Sequence, residues 1–349
     1  MNIVFRVDAS IKIGTGHVLR CLTLARMLHD HHPGVQIFFV CRTEDGHLSD
    51  YIREQGFQVL ELDSNTSLDA LLDAKETFLK VAHLKKIDWV VVDHYQLDIA
   101  WEKEIKNHVS RLLVIDDLAN RLHDCDILLD QNYFANYKTR YEGLVPNACK
   151  LFLGPQYLLL RPEFKVALRK GRQEKTEKRL LIFYGGSDPT NETEKLLEAL
   201  KSIPTYNFII DVVVGTANPK RHRIKQLANE MGANYYCQID YLAELMTKAC
   251  FSLGAGGVTM WERCFLGVPS YVTVVAKNQL QSTEAASQYG AVYNVGWHEE
   301  INSVTYTRII KKALSNDRSH AVMREKSFEL MNSNENQEKH PVTLQIIDS

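Results

Sequence analysis

The chain has no apolar run approaching the ~18 residues that a membrane-spanning helix needs, so no membrane insertion is expected. Its seven cysteines (Cys21, Cys41, Cys125, Cys149, Cys237, Cys250 and Cys264) are odd in number and contain no Cys-x-x-Cys pair. That argues against a disulfide framework and a zinc site, and predicts a reducing, cytoplasmic setting. An excess of one charge is lacking too: 41 Lys and Arg face 43 Asp and Glu, for a formal net charge of −2. No general attraction to nucleic acid or to anionic membrane follows from that balance. The opening residues, Met1-Asn2-Ile3-Val4-Phe5-Arg6-Val7-Asp8, form an apolar run broken at once by charge, without the small residues of a cleavage site, so no secretory leader is expected. The Walker A spacing is absent. The small net charge and the lack of heptads permit a monomer.

What is present is the composition of a globular protein, 45% hydrophobic and 24% charged. Short β-branched runs alternate with helix-length amphipathic stretches from end to end, the pattern of parallel α/β architecture. Strands are predicted at 3–7, 36–41, 58–62, 89–93, 112–116 and 127–130, with helices at 18–28, 48–55, 68–79 and 99–108. Between residues 165 and 179 seven Lys and Arg are interspersed with few apolar residues, which reads as a solvated linker with a short helix. The alternation then restarts, with strands at 180–184, 208–214, 251–253 and 271–275. Helices follow at 192–200, 220–231, 242–249, 259–266, 280–289 and 307–314. The expected organisation is a domain over 1–165, a linker over 166–178, a second domain over 179–315 and a polar extension over 316–349, read as a last helix and a loose tail. At 349 residues two α/β domains are more comfortable than one. Two doubly wound domains are expected to face a central cleft, where such sheets bind ligands.

Three glycine loops stand at strand-to-helix junctions, where backbone amides can approach an anion. The first is Asp8-Ala9-Ser10-Ile11-Lys12-Ile13-Gly14-Thr15-Gly16-His17. Leu19 occupies the place of the third glycine of a dinucleotide fingerprint, so an NAD site is disfavoured. The second is Gly185-Gly186-Ser187-Asp188-Pro189-Thr190-Asn191, in which Asp188 or Thr190 can cap the next helix. The third is Gly254-Ala255-Gly256-Gly257-Val258-Thr259-Met260-Trp261-Glu262, which places Glu262 about one and a half turns into a helix, within reach of a ligand hydroxyl pair. Any one loop is explained equally well as a tight turn. Three together suggest a phosphorylated ligand. A histidine beside two glycines at a helix start is either a cap or, with a reference pKa of ~6.5, a base near neutrality. Spacing alone leaves Arg161 equally open, to a ligand or to an ion pair with Glu163 or Asp188. Asp124-Cys125-Asp126 precedes a predicted buried strand and reads as a turn, and the cluster His29, His31 and His32 reads as a solvated helix end. Neither metal nor cofactor is expected.

Several segments resemble the PseG hydrolases, which act on UDP-2,4-diacetamido-2,4,6-trideoxy-β-L-altropyranose in pseudaminic acid biosynthesis, and their relatives linked to spore coat polysaccharide. The segments are Arg6-Val7-Asp8-Ala9-Ser10, Ile13-Gly14-Thr15-Gly16-His17, Arg20-Cys21-Leu22, Asp93-His94-Tyr95, Cys125-Asp126-Ile127-Leu128-Leu129 and Tyr141-Glu142-Gly143-Leu144-Val145-Pro146. Leu160-Arg161-Pro162-Glu163-Phe164, Gly185-Gly186-Ser187-Asp188 and Lys277-Asn278-Gln279 continue the series. The resemblance runs in order over roughly residues 1–290 and implies a GT-B-like fold of two Rossmann-like domains, similar to MurG. It implies a UDP-sugar substrate, metal-independent attack of water at the anomeric carbon, inversion and release of UDP. His17 is then the base, and Tyr95 and Asn278 match positions near the sugar. Asp8 holds or orients the water or His17. UDP is a good leaving group, so no dedicated acid is required if its charge is stabilised. Gly14 and Gly16, Arg161, the amides of Gly185, Gly186, Ser187, Gly256 and Gly257, and Gln279 are the expected binding groups, with Glu262 on the ribose. The alternative is a GT-B glycosyltransferase that passes the sugar to an acceptor.

Overall fold

A strand buried on both faces sends successive side chains into two different cores. In the computed structural model, which describes residues 1–64, 69–171, 177–203, 208–331 and 339–348, β1 (Asn2–Val7) does so: Ile3, Phe5 and Val7 enter one apolar cluster and Val4 another. The chain continues through α1 (Gly16–His31), β2 (Gln36–Arg42), α2 (Ser49–Glu54), β3 (Gln58–Leu62), α3 (Ala70–Val81), β4 (Trp89–Asp93) and α4 (Ile99–Lys106). β5 (Arg111–Ile115), β6 (Ile127–Asp130) and β7 (Lys150–Leu153) follow. β4 and β5 divide as β1 does, with Trp89, Val91, Leu113 and Ile115 on one side and Val90, Val92, Leu112 and Val114 on the other. The strands are parallel in the order β3-β2-β1-β4-β5-β6-β7. The order reverses between β1 and β4, whose Val7 and Asp93 are in register. Their carboxyl ends therefore flank the crevice in which open α/β sheets bind ligands.

A second sheet repeats this logic. After α5 (Pro162–Arg169) come β8 (Arg179–Phe183), α6 (Glu192–Lys201), β9 (Ile209–Val214), α7 (Arg221–Glu230), β10 (Asn234–Cys237), α8 (Leu242–Lys248) and β11 (Phe251–Ala255). The chain goes on through α9 (Val258–Phe265), β12 (Ser270–Val274), α10 (Leu280–Tyr289), β13 (Tyr293–Trp297), α11 (Ser303–Leu314) and α12 (Asp317–Met331). The parallel order is β10-β9-β8-β11-β12-β13, so β8 and β11 meet at this sheet's reversal. The last described helix, α13 (Pro341–Ile347), belongs to the first sheet's unit.

The two compact units are residues 1–132, 136–159 and 334–349, and residues 133–135 and 160–333. The division falls at 159/160 rather than 165, because α5 packs on α8 and buries Phe164 in the second unit. The expected linker is partly this helix, and its residues 172–176 lie outside the described residues. The expected extension is likewise built into both units. α12 packs on α9, and Val342 and Ile346 of α13 join the core beneath α1. His31, expected at a solvated helix end, has its Nδ1 3.0 Å from the Thr343 hydroxyl. β7, β10 and β13, three of the four edge strands, escaped the sequence pattern because they are mostly part-exposed and lack the apolar run of a central strand. Among the described residues no helix is long and apolar enough to cross a membrane.

One polar cluster is built into the first unit's core. Arg6 alternates with the apolar residues of β1 and is fully buried. Its guanidinium donates to Asp8 at 2.6 and 2.9 Å and to Asp73 of α3 at 2.9 and 2.7 Å. Asp73 also accepts from Arg42 at 2.7 Å and from the Trp101 indole at 2.9 Å. Burial opposes the charge on Asp8 and Asp73, but the arginines override it and hold both below the ordinary carboxylate range. A depressed pKa adds stability that is complete above the unfolded value of about 3.9 and is lost as pH falls toward the folded value. Urea denaturation at a series of pH values should therefore show stability declining below about pH 4. Asp73→Ala, which strands two guanidinium groups, should cost roughly 3–5 kcal/mol at neutral pH and flatten that acid dependence.

Candidate active site

In the first unit the loop after β1 closes through Gly14, whose N–H donates to the Ser10 carbonyl at 2.8 Å with φ of +82°. A side chain at Gly14 or Gly16 would meet nothing within 4 Å, so both glycines border open space. α1 starts at Gly16, and its N-cap Thr15 makes no side-chain cap bond. His17 is therefore not the helix cap. His17 and Arg20 are three residues apart, hence on one face of α1, and both reach Asp93 at the end of β4. His17 Nδ1 is 2.6 Å from Asp93 Oδ1, and Arg20 donates through Nε to Oδ2 at 2.5 Å and through Nη2 to Oδ1 at 2.6 Å. Arg20 Nη1 also donates to Asp117 at 3.1 Å. The Tyr95 ring stands edge-on to His17 with centroids 4.6 Å apart.

Electrostatics decide where the shared proton lies. Burial raises the pKa of Asp93, but the charge and hydrogen bonds of Arg20 outweigh it and hold the carboxyl well below the usual range. An ionised Asp93 has no proton to give, so the short contact is an Nδ1–H donating to carboxylate. In the neutral ring that places the lone pair on His17 Nε2. Orientation of His17, expected from Asp8, is performed by Asp93. Asp8 is instead committed to Arg6, to the Arg42 backbone N–H at 2.7 Å and to His94 Nε2 at 3.3 Å.

In the second unit the two glycine turns leave β8 and β11 side by side. Gly185 has φ of +93°, and the Gly186 carbonyl accepts from Gly215 N–H at 3.0 Å. Gly186 and Ser187 are exposed. Asp188 is the cap of α6, accepting from the N–H groups of Glu192 and Thr193, both at 2.9 Å. Its carboxylate thus already occupies the amino end of that helix. α9 differs. Gly257, at φ of +78°, leads into it with no side-chain cap and no acidic residue in the first turn, which leaves its amides for an anion. Gln279 braces this turn, since a methyl group on Gly256 would stand 3.0 Å from its Oε1, which accepts from Val275 N–H at 3.1 Å. Asn278 shares the one-turn helix Lys277–Gln279.

Arg161, at the N-cap of α5, donates through Nε and Nη2 to Glu262 at 3.1 and 3.0 Å, and its Nη1 is 3.1 Å from Glu163. The ion pair with Glu163 is present, whereas Asp188 is engaged as a cap. Glu262 is buried, and burial raises its pKa against the pull of Arg161. Asp124-Cys125-Asp126 leads into β6, with Asp126 accepting from Leu112 N–H at 2.8 Å and Asp124 from Lys106 at 2.9 Å. Among the described residues no cluster of three or more His, Cys, Asp or Glu is arranged to hold a metal ion. His17, Asp8, Tyr95, Gly14 and Gly16 thus belong to the first unit, and Arg161, Gly185, Gly186, Ser187, Gly256, Gly257, Glu262, Asn278 and Gln279 to the second. Sequence reasoning missed Arg20 and the specific role of Asp93. The three-residue spacing from His17 to Arg20, and the place of Asp93 at the end of a strand, were the available signals.

No family model matches the chain. An uncharacterized protein of Methanocaldococcus jannaschii is 32% identical over 292 residues, which are 80% of this chain and 57% of that protein; the chain thus spans little more than half of that relative. The UDP-2,4-diacetamido-2,4,6-trideoxy-β-L-altropyranose hydrolase of Campylobacter jejuni is 30% identical over 251 residues, 71% of this chain and 82% of that enzyme. The spore coat polysaccharide biosynthesis protein SpsG of Bacillus subtilis is 23% identical over 321 residues, 90% of this chain and 89% of that protein. Among solved structures, Acinetobacter baumannii MurG superimposes with a TM-score of 0.64 at 13% identity, over 99% of this chain and 98% of MurG. The UDP co-structure of S. aureus MnaA gives 0.61 at 12% identity, over 99% of this chain and 94% of MnaA. At those identities the structural matches establish the fold, two parallel-sheet units of GT-B type. Taken with the Campylobacter match across most of both sequences, they identify this chain as a member of the PseG and SpsG family of GT-B-fold proteins.

Proposed function

We propose that this chain hydrolyses a UDP-activated diacetamido-trideoxy sugar, UDP-2,4-diacetamido-2,4,6-trideoxy-β-L-altrose, to the free sugar and UDP. The setting is pseudaminic acid or related surface or spore coat polysaccharide biosynthesis. The observation that carries the proposal is the 2.6 Å contact of His17 with an ionised Asp93. A carboxylate on Nδ1 fixes the tautomer and ring orientation of a general base. His17 Nε2 takes a proton from water, the water oxygen bonds to the anomeric carbon, and the bond from that carbon to the β-phosphate oxygen breaks. The electron pair leaves with UDP, and inversion follows from displacement on the opposite side. Tyr95, edge-on to the base, and Asn278 attend the sugar.

The second unit takes the nucleotide in this scheme. Amides of Gly185, Gly186, Ser187, Gly256 and Gly257 and the amino end of α9 receive the diphosphate. Glu262, held in place by Arg161, accepts from the ribose hydroxyls, and Arg161 adds positive charge. No metal and no cofactor enters the reaction. A glycosyltransferase would use the same nucleotide groups, and the GT-B fold of MurG keeps that reading in view. The two differ in what His17 deprotonates, a water or an acceptor hydroxyl.

Purified protein given the UDP-sugar with no acceptor should release UDP, and His17→Ala should slow release by about 10²–10⁴-fold while binding UDP as before. Tight UDP binding without acceptor-free release would favour transfer over hydrolysis. Asp93→Asn should lower kcat by a similar ~10²–10⁴-fold with little change in UDP affinity, because an amide no longer selects the Nδ1–H tautomer. Unchanged turnover in that variant would remove Asp93 from the mechanism.

A further inference from the structure

Charged side chains are almost never fully buried unless paired. Arg263, on α9, is 1% exposed, yet among the described residues its guanidinium forms no ion pair. Nη2 donates to the Ala255 carbonyl at 2.7 Å, while Nε and Nη1 meet no acceptor. Burial, the largest influence on the group, pushes its pKa down to about 10, which still leaves a cation at neutral pH. Glu262, its neighbour in the chain, attracts the cation but is hydrogen-bonded to Arg161 instead; an interior charge without a direct partner is costly, and one hydrogen bond to a carbonyl needs no cation to make it.

The location suggests what the charge is for. Gly254 lies directly against the guanidinium: a methyl group there would stand 2.3 Å from Nη1 and 2.3 Å from the Phe183 carbonyl. Phe183 ends β8 just before Tyr184-Gly185-Gly186, and Gly254 is its partner in β11, one residue short of the strand end and the Gly256-Gly257 turn that leads into α9. The cation is therefore lodged where both glycine turns leave the sheet, beneath the uncapped amino end of α9. The donors with no protein acceptor are on this same guanidinium.

We propose that Arg263 is a positioning residue for the diphosphate, a fixed positive charge under the two glycine turns that adds to the field of α9 and draws an anion to it without touching it. This rests on the nucleotide-binding reading above. In a low-dielectric interior such a charge is weakly screened and acts across several ångströms. Its contribution scales with ligand charge, so it favours UDP over UMP and leaves uridine indifferent. A residue that only pins the turn would affect all three alike.

The test is calorimetric titration of the full chain with UDP, UMP and uridine, for the wild type, Arg263→Gln and Arg263→Lys. Glutamine keeps a donor for Ala255 and removes the charge; lysine keeps the charge and changes the geometry. Arg263→Gln should weaken UDP by about tenfold or more, UMP by less and uridine by under about twofold. Arg263→Lys should hold the UDP-to-uridine preference within about threefold of the wild type. Equal losses for UDP and uridine, or unchanged UDP affinity in the glutamine variant, would overturn the proposal. Should thermal melting show that Arg263→Gln does not fold, the lysine variant decides alone, and a collapsed preference there counts against the proposal. A wild type that fails to bind UDP would overturn the nucleotide reading as well, whereas a wild type that binds UDP with a preference insensitive to residue 263 sinks only the role given to Arg263.

Discussion

The chemistry proposed for the first unit hangs on one buried carboxylate. Asp93 ends the central strand β4, out of water, where an ionised group is tolerated only with cations and donors around it. Those partners come from α1: Arg20 covers both carboxylate oxygens and His17 fills the remaining approach. Satisfying Asp93 therefore sets the rotation of α1 about its axis. With the rotation fixed, the imidazole shows one nitrogen to the carboxylate and keeps the other for chemistry. Arg20 passes the constraint on to Asp117, and Tyr95 closes the ring from its edge.

The second unit relies on backbone where the first relies on side chains. Its turns are stripped of Cβ atoms at Gly185, Gly186, Gly256 and Gly257, and the space so created is held open from behind. Gln279 props the third loop, and Gly215 backs the second through its bond to Gly186. Asp188 takes the amino end of α6 for itself, so of the two helices that follow the glycine turns it is α9 whose amides remain to be used. The side chains proposed to take part, Arg161 and Glu262, are already paired with each other, so each has its geometry set before any ligand comes.

Much of this was legible in the sequence because the physics involved is local. Apolar runs such as Trp89-Val90-Val91-Val92 announce strands covered on both faces, and glycines after such runs announce turns at their carboxyl ends. Three of the four edge strands were not legible: Asn234-Tyr235-Tyr236-Cys237, for one, is half exposed, and nothing in its pattern separates it from a loop. At the site, His17 stood out by type and by its glycine neighbours. Its partner did not, since 76 residues separate it from Asp93 and only the pairing of β1 with β4 brings them together. Asp8, expected to hold or orient the water or His17, is committed by its place beside Arg6 to the polar cluster in the core. Of the tail, α12 stands where a last helix was expected, and α13 falls in the stretch read as loose. A polar stretch of weak amphipathicity becomes helix when a docking surface is available, and α12 finds one on α9.

The excursion of the chain into the second unit and back has a temporal side. Val342 and Ile346 of α13 complete the apolar cluster under α1 and β1, yet they leave the ribosome after every residue of β8 to β13. The sheet that carries His17 must wait with part of its core uncovered until the later sheet has emerged. Vectorial synthesis, which usually lets an amino-terminal domain fold first, here makes the earlier-made unit the last to be sealed.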